Sequence, residues 1–126
     1  MTPPKIGIIG INGKYGSWLR RFFSERDCQV IGSDLETELS NVQVVGQADV
    51  IFFAVPIRDT PRIITSLVSY SRSTQLWLDV TSLKIAAVEA MLKSKAEVVG
   101  LHPMCAPTVK TWRGQVVAVY RARLQD

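Results

Sequence analysis

Lys5-Ile6-Gly7-Ile8-Ile9-Gly10-Ile11-Asn12-Gly13-Lys14-Tyr15-Gly16 is the stretch whose reading decides the fold. A short apolar run that stops at a glycine is the pattern of a strand buried on both faces that feeds a tight turn. Beyond the glycines, Tyr15, Trp18, Leu19, Phe22 and Phe23 return at spacings of three and four, while Arg20, Arg21 and Glu25 fall on the opposite side. That is an amphipathic helix. Strand, glycine turn and helix in this order put main-chain amides at a helix N-terminus, an arrangement that receives a pyrophosphate. Gly10 would supply the bend, Gly13 would let the main chain approach the phosphates, and Gly16 would let the helix lie close on the sheet. Ile11, Asn12, Lys14 and Tyr15 complete the expected cofactor turn. The spacing, Gly-x-x-Gly-x-x-Gly, is one residue longer than the usual dinucleotide fingerprint, and a turn that merely joins strand to helix reads the same way.

Working outward, Gln29 to Gly32 reads as a second short strand ending at Ser33-Asp34. An acid about 20 residues past the turn is what accepts a hydrogen bond from a ribose 2′-hydroxyl; Glu36 and Glu38 lie close enough in sequence to compete for that role. With these acids, and no arginine between Asp34 and Arg58, a 2′-phosphate would be repelled, so NAD is expected in preference to NADP. Leu35 to Gln47 reads as irregular, with a short strand at Val42 to Val45. Ala48 to Val55 is a continuous apolar strand; Asp59-Thr60-Pro61 then opens a helix, with Thr60 as N-cap and Pro61 as its first residue, that buries Ile63, Ile64, Leu67 and Val68. Gln75 to Val80 is a further strand. Thr81-Ser82 precedes a helix expected to bury Ile85, Val88, Met91 and Leu92, with Lys84 as a solvated first-turn residue or one that faces an anionic substrate. Val98 to Leu101 and Val116 to Tyr120 complete the strands. This alternation implies right-handed crossovers and an α/β chain: a Rossmann-type, doubly wound, mainly parallel sheet with helices on both faces.

The bulk properties agree with that reading. A chain of 126 residues, 47% hydrophobic and 21% charged, is expected to form a single soluble globular domain. No run approaches the roughly 18 apolar residues of a membrane span, and Met1 to Lys5 lacks the apolar core of a signal peptide, so a cytoplasmic address is expected. The net charge is +4, but only Arg20 and Arg21 are adjacent. A small anionic ligand is therefore expected rather than nucleic acid. Cys28 and Cys105 stand far apart and the chain has one histidine, so neither a disulfide framework nor a metal site is expected. Trp18, Trp77 and Trp112 read as packing residues.

Val80-Thr81-Ser82 and Gly100-Leu101-His102-Pro103-Met104 sit just past the carboxyl ends of predicted strands, where open parallel sheets bind ligands. Together with Gly10 to Trp18 and Leu78 to Lys84, these residues make the sequence resemble the prephenate and arogenate dehydrogenase family; Gly100 to Met104 is the most specific stretch. Val55-Pro56-Ile57 and Arg113-Gly114-Gln115-Val116-Val117 support the match, which runs from about Lys5 to Tyr120. The resemblance implies a nucleotide-binding domain that passes hydride from ring C4 of prephenate, or arogenate, to NAD or NADP as carbon dioxide leaves. It makes His102 the catalytic histidine that takes the proton of the substrate's 4-hydroxyl, and imidazole is the side chain suited to proton exchange near neutrality. It makes Ser82 a hydrogen-bonding partner near that hydroxyl and the nicotinamide, and it places Val55, Pro56, Ile57 and Thr81 against the cofactor.

The residues alone leave other readings open. A histidine between leucine and proline also suits a satisfied core position, and Thr81 or Ser82 also suits a helix N-cap. The sequence departs from the family at Cys105 and Ala106, where members carry phenylalanine and glycine. The lost ring should reshape the pocket wall, and alanine does not readily take the positive φ open to glycine. Family enzymes continue into a helical domain that supplies the dimer interface and substrate-binding arginines; these 126 residues contain none of it, and a homodimer is expected where it is present. A nucleotide-binding module without chemistry, or a dehydrogenase of β-hydroxyacid type, are the competing functions, the latter disfavoured by Gly100 to Met104.

Overall fold

The computed structural model describes residues 3–82 and 84–124; Leu83, part of one stretch that carries the resemblance, lies outside the described residues, as do residues 1–2 and 125–126. The strands are β1 (Ile6–Ile9), β2 (Val30–Ser33), β3 (Val50–Phe53), β4 (Leu76–Asp79), β5 (Glu97–Pro103) and β6 (Val117–Arg123). The helices are α1 (Lys14–Ser24), α2 (Asn41–Gln47), α3 (Thr60–Leu67) and α4 (Lys84–Leu92), with one 3₁₀ turn at Val68–Tyr70. The six strands form one sheet in the order β2-β1-β3-β4-β5-β6. β1 to β5 run parallel and β6 closes the edge antiparallel to β5. The fold is therefore the expected doubly wound, Rossmann-type sheet.

Two apolar layers cover the sheet. Ile9, Ile51, Phe53, Trp77 and Val98 face α2, α3 and α4. Ile6, Ile8, Phe52, Leu78, Val99 and Leu101 face α1. Alternation within each strand sends successive side chains to opposite layers, and both are apolar because helices lie on both sides. Trp18 and Trp77 are almost fully buried, as packing residues should be.

The crossover from β2 to β3 differs from expectation. Asn41–Gln47 is a helix, not an irregular segment with a strand at Val42 to Val45. The two valines Val44 and Val45 are fully buried beneath it, and β-branched residues in a short window read as strand. The deciding signal was Ser40-Asn41-Val42-Gln43. Gln43 N–H donates to the Ser40 hydroxyl at 3.2 Å and Ser40 N–H donates to the Gln43 side-chain oxygen at 2.8 Å, a capping box that starts the helix.

Three further boundaries shift. α3 is capped at Asp59, so Thr60 lies inside the helix and Pro61 follows it. The Thr60 hydroxyl instead donates back to the Pro56 carbonyl at 3.1 Å. α4 buries Ala87, Val88, Ala90 and Met91, whereas Ile85 is 77% exposed and Leu92 is at the surface. Small alanines let this helix lie close to its neighbours, which turns Ile85 outward. β5 extends to Pro103, so His102 stands within the strand rather than just past it.

Candidate functional site at the carboxyl ends of the strands

The sheet order reverses between β1 and β3, since β1 leads outward to β2 while β3 continues to β4 on the other side. Crevices of open α/β sheets form at such a reversal. Here Gly10 bends the chain at φ +91°, in the left-handed region that glycine tolerates. A Cβ at Gly16 would overlap the Gly10 carbonyl oxygen, so only glycine lets α1 start this close to β1. Gly13 caps α1 with no side-chain acceptor for the first-turn amides. The leading N–H groups of a helix have no acceptor within it, so those of Lys14 and Tyr15 are available to an anion.

A cleft of about 430 Å³ opens in front of that turn. Gly13, Lys14 and Tyr15 form one side; Ala54, Val55, Pro56 and Ile57, after β3, form the next. Val80, Thr81 and Ser82, after β4, and His102 and Pro103, from β5, complete it. Nine of the residues singled out from the sequence thus meet in one cleft. A second groove, of about 250 Å³, shares Val55 and Pro56 with the first and adds Gly10, Asp34, Leu35, Asn41, Asp59, Arg62 and Ile63. The two run end to end from Asp34 to His102.

Three expected cofactor residues do not line either groove with their side chains. Ile11 is buried and packs where a Cβ at Gly32 would overlap it; its N–H donates to the Ser33 carbonyl at 3.1 Å. Asn12 enters through its backbone, donating to Asp34 Oδ2 at 2.9 Å. Gly16 lies behind the turn. Among the acids, Asp34 lines the groove beside Gly10, while Glu38 lines a different hollow and Glu36 is exposed. Asp34 also accepts from its neighbour Leu35 N–H at 2.9 Å, so its carboxylate is held in place on both oxygens. Arg62 was not foreseen here; it lines the Asp34 groove and pairs with Asp59 at 3.4 Å.

Tyr15 donates its hydroxyl to the Cys105 carbonyl. Burial first, and the Cys105 side chain second, raise its phenol above the ordinary value of 10.0. The segment after β5 thereby fastens to α1. Trp18 adds a ring N–H donated to the Val109 carbonyl, and Trp112 stacks on Trp18 with centroids 5.0 Å apart. Ala106 is not at positive φ: Asp27 alone among the described non-glycine residues is.

Behind Thr81 and Ser82 lies a pair that the sequence reading missed. Asp79, the last residue of β4, is fully buried; its Oδ2 accepts from Thr81 Oγ1 at 2.5 Å, from Thr81 N–H at 3.2 Å and from Lys84 Nζ at 2.5 Å. Lys84 is thus an ion-pair partner and not a solvated first-turn residue; its side chain is 22% exposed. Desolvation lowers the Lys84 pKa, against which the hydrogen bond and charge of Asp79 act to raise it. An acid inside the apolar run Leu76 to Val80 was the available signal, because an isolated carboxylate is not buried without a partner.

A family model described as the prephenate dehydrogenase nucleotide-binding domain matches residues 24–123. The chain belongs to this family. The match includes the Asp79–Lys84 and Gly100–Met104 segments and begins after the glycine turn. A "Probable arogenate/prephenate dehydrogenase" of Methanocaldococcus jannaschii is 30% identical over 129 residues, covering 89% of this chain and 29% of its own length. The "T-protein" of Haemophilus influenzae is 32% identical over 114 residues, covering 90% and 30%. The chain thus spans under a third of these curated relatives. Among solved structures, Synechocystis arogenate dehydrogenase superposes with a TM-score of 0.72 at 22% identity, over 83% of this chain and 42% of the other. Prephenate dehydrogenase of A. aeolicus, solved with hydroxyphenyl propionate and NAD+, gives 0.63 at 18%, over 82% and 43%. Both structural likenesses speak for the nucleotide-binding fold. No helix among the described residues of this family member is long and apolar enough to cross a membrane.

Proposed function

We propose that this domain binds NAD+ along the two joined grooves and serves the oxidative decarboxylation of prephenate, or arogenate, in tyrosine biosynthesis. The observation that carries the reading is the shared cleft, where the glycine turn and the chain's one histidine face the same space. The N–H groups of Lys14 and Tyr15 and the charge of Lys14 would hold the diphosphate. Asp34, fixed by the Asn12 and Leu35 amides, would accept from a ribose hydroxyl. Its charge disfavours a 2′-phosphate, which makes NADP the lesser ligand. Val55, Pro56 and Ile57 supply an apolar wall that keeps water from the reacting end.

NAD+, when bound, supplies the hydride acceptor. Of this chain's residues, Ser82 would hydrogen-bond the substrate's 4-hydroxyl, Thr81 would lie against the cofactor, and His102 would take the hydroxyl proton while C4 loses hydride and the ring carboxylate departs as carbon dioxide. A cytoplasmic address belongs to the proposal, as does a homodimer built through a further helical domain, with residues 1–126 forming one nucleotide-binding domain. The test is NADH formation by the protein with prephenate or arogenate, in wild type and in His102→Ala. A general base contributes about 10²- to 10⁴-fold, so His102→Ala should lower the rate by that order while leaving NAD+ affinity near wild type. Equal rates would remove the histidine from the chemistry; binding without turnover by either substrate would leave a nucleotide-binding module.

A further inference from the structure

The buried ion pair behind the cleft links the turn after β4 to strand β5. Register pairs Asp79 of β4 with Gly100 of β5, and two residues further along each chain stand Thr81 and His102, both in the cleft wall. Asp79 Oδ2 gathers Thr81 and Lys84 onto one atom, while Oδ1 is buried with no partner among the described residues. The Lys84 stem crosses Gly100: a Cβ there would come 3.0 Å from Lys84 Cδ, 3.1 Å from Val88 Cγ2 and 3.4 Å from Asp79 Oδ1. A side chain at this strand position would crowd the lysine stem, which would have to give by a few tenths of an ångström.

We propose that Asp79 and Lys84 are positioning residues: their ion pair, seated over Gly100, holds the Thr81–Ser82 turn in place against His102. The carboxylate anchors the turn directly through both Thr81 bonds, and the ammonium pairs with the same oxygen and holds it in place. A single removal leaves the other charge buried and unpaired, which is strongly destabilising, whereas replacing both partners by groups of like volume is often near neutral. Stability and positioning are thus separable.

The lone histidine makes the test direct, because its ring gives one set of imidazole carbon–proton cross-peaks at fixed pH with nothing bound. Lys84→Met alone should lower Tm by on the order of 10 °C. In the double variant D79N/K84M the amide oxygen still accepts from Thr81 and no charge stays buried, so Tm and the His102 cross-peaks should return close to wild type. In D79L/K84M position 79 no longer accepts from Thr81, and the cross-peaks should be displaced even though Tm matches that of D79N/K84M. If D79L/K84M does not fold, D79S/K84M serves instead, its hydroxyl too short to reach both Thr81 donors. Coincident His102 cross-peaks in D79N/K84M and in D79L/K84M, or in the D79S/K84M that replaces it, would overturn the proposal. The proposal rests on the dehydrogenase reading only for what the turn serves; the measurement needs neither cofactor nor substrate, so failure of one is distinguishable from failure of the other.

Discussion

Asp34 carries two duties through one carboxylate. It holds the Asn12 amide of the glycine turn and lines the groove beside Gly10. A hydrogen bond to a charged group contributes about 1.5–3 kcal/mol, so Asp34→Ala should weaken NAD+ by about 10- to 100-fold, read by titration calorimetry; an unchanged Kd would place the ribose elsewhere. Residues whose job follows from backbone geometry were legible in sequence: Gly10 for its positive φ, Gly16 for want of space, Asp34 for its place after β2. Those whose job depends on a partner from another element were not. Ile11 is recognisable as core only once Gly32 lies opposite it. Lys84 reads as a solvated lysine until Asp79 is found beneath it.

The segment between β5 and β6 is fastened to one stripe of α1. Tyr15, Trp18 and Phe22 recur at helical spacing and meet Cys105, Val109 and Trp112. Trp112→Ala should cost about 2 kcal/mol, less than a fully buried tryptophan because Trp112 is only partly buried; urea denaturation measures it, and a loss near zero would mean the strap is not held by stacking. Tyr15 adds a pH dependence. Its folded pKa is raised, so its contribution is complete below the ordinary value of 10.0 and is lost as pH rises through the folded value. Wild type should therefore lose stability above that pH more steeply than Tyr15→Phe, and parallel urea midpoints would contradict this. Helical periodicity in α1 was plain because its two faces differ in kind. In α4 it misled, since Ile85, Ala86, Ala87, Val88, Ala90, Met91 and Leu92 make the helix apolar on most sides and only packing selects which are covered. The seven-residue α2 was hidden by its valines, whose propensity favours strand until a capping box and burial outweigh it.

Taken whole, the chain is a parallel sheet whose order reverses between β1 and β3, and that reversal puts the glycine turn, the loop after β3, the Thr81–Ser82 turn and His102 around one space. Alternating strands and helices announced this architecture, because buried parallel strands and their crossovers each have a distinct apolar period. The antiparallel direction of β6 was not announced, since strand orientation at an edge depends on the length and path of the preceding loop. The proposed function turns on a diphosphate held at Gly13–Tyr15 with a nicotinamide reaching His102. The most direct measurement is an NMR titration of the protein with NAD+ that follows the Gly13, Lys14 and Tyr15 amides and the His102 ring together. The account predicts saturable shifts at both ends of the cleft with one common Kd; shifts confined to residues outside the two grooves, or none at all, would contradict it.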